Sequence, residues 1–134
     1  MEPLRLRAED EEDLAVLSAC LQDGLVAVGD MAYEAADNCF RFVANRFRWE
    51  CREATGARTL AGITIEGVTG ARRRGFDPKS AEAILVLLSL APAPGCIELV
   101  FAGGASVRLD VPDIRVRLQD LGEEWPTRFQ PAHS

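Results

Sequence analysis

The chain has 134 residues, 48% hydrophobic and 27% charged, with a net charge of −6. That is the composition of one ordinary globular domain, neither disordered nor membrane-spanning. Its one histidine, His133, stands one residue from the end, and its one lysine, Lys79, sits in a turn-rich stretch. Histidine-based acid–base or metal chemistry and lysine Schiff-base chemistry therefore have little to rest on. The four cysteines (Cys20, Cys39, Cys51, Cys96) show no CxxC or CxxH spacing, so no zinc site and no metal or other cofactor is expected.

Leu4 and Leu6 alternate with Arg5 and Arg7, which predicts a short half-buried strand. Asp10 then caps a helix over about 11 to 22. The acids after it suit the positive end of the helix dipole, and Leu14, Leu17 and Leu21 form one apolar face. Gly24 is the expected left-handed C-terminal residue.

From Leu25 the period changes to two. Leu25 to Val28, Met31 to Glu34 and Cys39 to Ala44 read as strands, with turns at Gly29-Asp30 and Asp37-Asn38. Phe40 and Phe42 share one face, while Phe47 and Trp49 fall on the opposite parity. A regular strand cannot bury all four on one side, so a bulge or turn is expected near Asn45-Arg46. Cys51 to Thr59 reads as a polar loop, and Leu60 to Arg74 as a bent strand or two strands.

Asp77-Pro78-Lys79-Ser80 is a turn, and the apolar run Ala83 to Leu90 suits a strand buried on both faces or a short buried helix, the strand being favoured. The clearest hairpin follows. Ile97, Leu99 and Phe101 face one way, Gly103-Gly104 turn, and Val107, Leu109 and Val111 return. Pro112 is expected to open a C-terminal helix with Ile114, Leu118 and Leu121 on its apolar face and Gly122 at its end.

This order predicts an α+β domain over residues 1–122 with a tail over 123–134. Its sheet is mostly antiparallel and strongly bent, with about six or seven strands, an early helix and a C-terminal helix, a topology like the pleckstrin-homology superfold. Met1 to Arg7 holds no apolar stretch after its charges, and the longest apolar run is too short to span a bilayer. A soluble cytoplasmic protein with reduced cysteines is the expectation.

Charge is segregated along the chain. Residues 1–38 hold two arginines against ten acids, a balance of −8, and residues 39–76 hold eight arginines against three acids, a balance of +5. Residues 77–134 hold five cations against eight acids, a balance of −3. An acidic protein repels phosphate at long range, so nucleic acid is not the expected partner. A local arginine surface in the middle third is the candidate.

Asn45-Arg46-Phe47-Arg48-Trp49-Glu50 alternates cations with aromatics. As a strand it would put Phe47 and Trp49 in the core and Arg46, Arg48 and Glu50 outside. Such a face is either a solvated ion-pair ladder or a planar surface recognising a carboxylate or phosphate, where the arginine fork is preferred. Arg72-Arg73-Arg74, between Gly70 and Gly75, is either a solvated loop or a second such contact. Arg46, Arg48, Arg72, Arg73 and Arg74 are thus the candidate binding residues. The acid run Glu9 to Asp13 reads as helix capping, because the alternating ligands of a calcium loop are absent. Gly103-Gly104 reads as a hairpin turn, because no phosphate-loop motif follows it.

Several segments together resemble an uncharacterised, mainly alphaproteobacterial domain-of-unknown-function family. They are Glu11 to Leu14, Ser18 to Asp23, Asn45 to Glu50, Phe101 to Gly104 with Arg108-Leu109, and Asp120 to Trp125 with Pro131 to His133. The resemblance covers nearly the whole chain and implies a free-standing single-domain protein, with no catalytic residue to carry over. Two functions are compatible with the residues. One is a non-enzymatic interaction module binding an acidic protein or anionic ligand through arginines. The other is a small enzyme or nucleic-acid-processing accessory that uses arginine and carboxylates.

Overall fold

Asp10 sets the first element. In the computed structural model, which describes residues 4–47 and 58–121, its Oδ1 accepts the Asp13 N–H at 2.8 Å. This caps helix α1 (Glu11–Leu21), which has Glu11, Glu12 and Asp13 in its first turn. Leu14, Leu17 and Leu21 are buried, the face their spacing predicts. The left-handed residue after the helix is Asp23 (φ 66), not Gly24. Gly24 is needed for closeness instead, since a Cβ there would stand 2.9 Å from the Leu21 carbonyl oxygen.

The described residues also form ten strands: β1 (Arg5–Ala8), β2 (Gly24–Ala27), β3 (Ala32–Glu34), β4 (Cys39–Phe47), β5 (Arg58–Glu66), β6 (Gly70–Arg74), β7 (Ile84–Ala93), β8 (Cys96–Phe101), β9 (Ser106–Asp110) and β10 (Val116–Asp120); α1 packs against β1, β4 and β7. The strands form one antiparallel sheet in the order β1-β10-β5-β4-β2-β7-β8-β9-β6, with β3 also on β4. The α+β class and the antiparallel sheet agree with the sequence. The strand count exceeds the expected six or seven.

The sheet is strongly curled. β5 and β6 are separated in it by five strands, yet residues 67–69 alone join them, a link spanning at most about 14 Å. The Val68 N–H donates to the Asn38 carbonyl at 2.8 Å and holds that link against the β3–β4 turn. The inward faces and α1 enclose one core that includes Phe42, Ile63, Ile65, Leu87, Leu99, Phe101 and Leu109. The β8–β9 hairpin buries Ile97, Leu99, Phe101, Val107 and Leu109 as expected.

Two further expectations are corrected. The helix predicted from Pro112 is β10 over Val116–Asp120, where Val116, Leu118 and Asp120 are buried and Arg117 and Gln119 exposed. Period two and the spacing Ile114, Leu118, Leu121 both fit this segment. Backbone pairing with β1 on one side and β5 on the other decided for the strand. With no closing helix over 112–121, the likeness to the pleckstrin-homology superfold loses the element it rested on.

The second correction is at Asn45-Arg46. No bulge interrupts β4, which pairs with β5 in unbroken register over all nine residues. The inward parity of Phe40 and Phe42 therefore continues through Ala44 to Arg46, and Phe47 turns outward. The strand stays regular because Arg46 finds a buried carboxylate: its Nε and second terminal nitrogen donate to Asp120 Oδ1 and Oδ2 at 2.9 and 2.7 Å. The expectations for Trp49, Glu50, residues 51–57 and the tail 123–134 lie outside the described residues, while Arg58 and Thr59, expected in the loop, open β5.

Candidate anion-binding groove

The outer face of the curled sheet carries a site that strand parity builds. On β1 the outward residues are Arg5 and Arg7; on β10, Arg117 and Gln119; on β5, Gly62 and Thr64; on β4, Arg41 and Val43. Register then aligns them in two rows. Arg7 lies opposite Arg117, which lies opposite Thr64, which lies opposite Arg41. Arg5 lies opposite Gln119, then Gly62, then Val43. Neighbouring strands stand about 4.8 Å apart, so all four guanidinium groups can reach one bound molecule.

The groove between them has a volume of about 610 Å³. Gly62 makes it hollow, because there is no side chain at the middle of the second row; a Cβ there would touch Leu121 Cδ2 at 3.4 Å. Val43 and Leu121 add apolar floor, Thr64 and Gln119 offer neutral polar groups, and Asp30 is the one acid on its wall among the described residues. Arg117 is paired to Glu66 at 2.9 Å and Arg41 to Glu34, both on the exposed surface. Arg5 and Arg7 make no ion pair among the described residues. Arg7 directly opposite Arg117 is a like-charge cross-strand pair, with Glu66 paired to Arg117 beside it.

The expected candidates are distributed differently. Arg46 is fully buried and paired to Asp120, so it belongs to no exposed surface, contrary to the expected placement. Arg72, Arg73 and Arg74 are exposed on β6, at the far end of the sheet order from the groove. Arg48 lies outside the described residues. Arg5, Arg7, Arg41 and Arg117 were missed as a site. The alternation around Leu4–Arg7 shows in the sequence, but only register reveals that Arg117 stands beside it.

Arg58 packs its guanidinium 3.8 Å above the Phe47 ring and donates to the Asn45 carbonyl at 2.6 Å. Burial lowers its pKa from the ordinary arginine range.

Cys39 and Cys96 are free thiols. Burial first, then Glu66 and Asp37, push the Cys39 thiol up from its ordinary value. Cys39 is therefore expected to alkylate more slowly than N-acetylcysteine in the same solution at mildly alkaline pH, because less of it is thiolate. Peptide mapping after timed iodoacetamide treatment checks this, and equal rates would contradict it.

Among the described residues no group of three or more His, Cys, Asp or Glu side chains is placed to hold a metal ion. Among them, too, no helix is long and apolar enough to cross a membrane.

Fold and groove together define an α+β protein built on one curled antiparallel sheet with an arginine-rimmed hollow on its outer face. The chain belongs to the DUF2948 family, described as a protein of unknown function, whose model matches residues 4–133. No curated protein and no solved structure matches it.

Proposed function

We propose that this protein is a binding module that holds a small organic anion in the groove of Arg5, Arg7, Arg41 and Arg117. The observation that carries this reading is the convergence of four arginines from three strands on one hollow, two of them without an ion-pair partner. Arginine forks match carboxylate and phosphate oxygens in pairs, and the apolar floor suits a ligand with a hydrocarbon or aromatic body beside its charge. The free thiols Cys39 and Cys96 support a reducing, cytoplasmic setting.

Phenyl phosphate, an anion with an apolar ring, is the probe for calorimetric titration. The protein is expected to bind it more tightly than inorganic phosphate. The Arg7→Glu, Arg117→Glu double variant is expected to lose roughly tenfold or more in affinity, since a charge-assisted hydrogen bond contributes about 1.5–3 kcal/mol. Equal binding by the double variant, or no binding by the native chain, would remove the groove as the site.

Asp30 on the groove wall favours a second reading, a hydrolytic enzyme in which this carboxylate activates water against an arginine-held ester. Release of phenol and inorganic phosphate, lost in Asp30→Asn while phenyl phosphate still binds, would establish that reading. Binding without turnover supports the module.

A further inference from the structure

The free edge of β6 carries a second surface, made of residues other than those of the groove. Among the described residues β6 pairs only with β9, and β3 only with β4. The two are tied at one end, where Val68 donates to Asn38 and the Tyr33 hydroxyl donates to the Val68 carbonyl at 3.4 Å. Beyond that tie neither strand pairs with the other.

Ala71 and Arg73 lie opposite Leu109 and Val107 in the β6–β9 register. Leu109 and Val107 are buried, so Ala71 and Arg73 are on the inward side of the sheet, yet both are exposed. The inward face of β6 is therefore uncovered by the described residues. Beside it is a hollow of about 220 Å³, walled by Tyr33, Phe40, Phe76 and Val107 with Arg72 and Arg73 at its rim.

Charge identifies what would cover it. Arg72 lies directly opposite Arg108 on β9, a like-charge pair in the ladder, and Arg74 lies two residues further along the same outward face. None of Arg72, Arg73, Arg74 and Arg108 makes an ion pair among the described residues. Charges on an edge strand ordinarily block edge-to-edge aggregation. That role explains the outward arginines; it does not explain an apolar hollow left open on the inward side.

We infer that the β6 edge docks an extended acidic segment of a partner polypeptide by strand addition, its acidic side chains toward Arg72, Arg74 and Arg108 and an apolar side chain in the hollow. The period-two alternation of a strand places acid and apolar residues on these two sides in turn. Main-chain pairing supplies affinity, and the hollow supplies specificity.

The test is fluorescence anisotropy with a short synthetic peptide that alternates glutamate with leucine and phenylalanine. The native chain is expected to bind it and to ignore the same peptide with lysine for glutamate. Methylating alternate backbone nitrogens of the acidic peptide is expected to abolish binding, as strand addition requires. The Arg72→Glu, Arg74→Glu variant is expected to lose roughly tenfold or more in affinity with an unchanged thermal transition. Should that variant misfold, Arg72→Gln with Arg74→Gln removes the charge without reversal and is expected to weaken binding in the same direction. The groove variant Arg7→Glu, Arg117→Glu is expected to bind the peptide normally, so this surface and the groove fail or stand separately. Undiminished binding of the methylated peptide, undiminished binding by the folded Arg72/Arg74 variant, or displacement of the peptide by a single-stranded oligonucleotide would each overturn the inference.

Discussion

Asp120→Ala is expected to lower the unfolding free energy by about 3–5 kcal/mol, read from urea midpoints at constant slope. Asp120 accepts two bonds from Arg46 and a third from the Leu4 N–H at 2.9 Å, so one carboxylate ties β4, β10 and the start of β1. Removing it takes the Asp120 charge and two hydrogen bonds from a fully buried guanidinium and leaves a backbone donor without its partner. Arg46→Ala leaves the reverse defect, an uncompensated buried carboxylate, and is expected to cost a similar amount. The Arg46→Met, Asp120→Leu double variant is expected to recover most of the loss, because a buried ion pair and apolar residues of similar volume are often close in stability. A single variant that unfolds at the wild-type midpoint would show that water reaches this pair.

Phe101→Ala is expected to cost about 3–5 kcal/mol, the range for emptying a large aromatic site in a packed core. Phe101 is 2% exposed and ends β8 opposite Leu87, next to the register shift between Leu87 and Ser89. Its N–H donates to the Ala105 carbonyl at 2.9 Å and closes the turn of the β8–β9 hairpin. Collapse of the cavity would require that hairpin to move as a unit, which places the cost toward the upper end of the range. Leu17→Ala on α1 follows the same logic at about 2–5 kcal/mol. Val16→Ala is the control: Val16 is 57% exposed, and its change is expected within about 0.5 kcal/mol of zero. Comparable losses at Val16 and Leu17 would mean that the buried face of α1 is misplaced.

The candidate site was less legible than the fold. Arg72 to Arg74 stood out because three adjacent like charges are visible without a structure, and β6 does expose them. Arg46 stood out through the alternation of cations with aromatics from Asn45 to Glu50, and its position was read the wrong way round. Placing Phe47 and Trp49 in the core was the reasonable choice from side-chain chemistry, since an arginine is rarely fully buried. The choice reverses only if a carboxylate waits inside, and Asp120 is 74 residues away in the chain. The groove arginines had no sequence signal beyond the alternation at Arg5 and Arg7.

By itself the sequence determined whatever rests on neighbours within one turn or one hairpin. The Asp10 cap and the Leu14, Leu17, Leu21 face of α1 follow from spacing, and the β8–β9 hairpin follows from period two around a glycine pair. Tertiary structure alone decided the rest. Residues 116–120 became a strand because β1 and β5 supplied backbone partners on both sides. Arg46 went inward because β4 kept unbroken register with β5 and Asp120 neutralised it there. The arginines of β1, β4 and β10 share one groove because strand register, a relation between distant segments, set them side by side. Local preferences act over a few residues, whereas register and charge compensation act between strands that meet only when the chain folds.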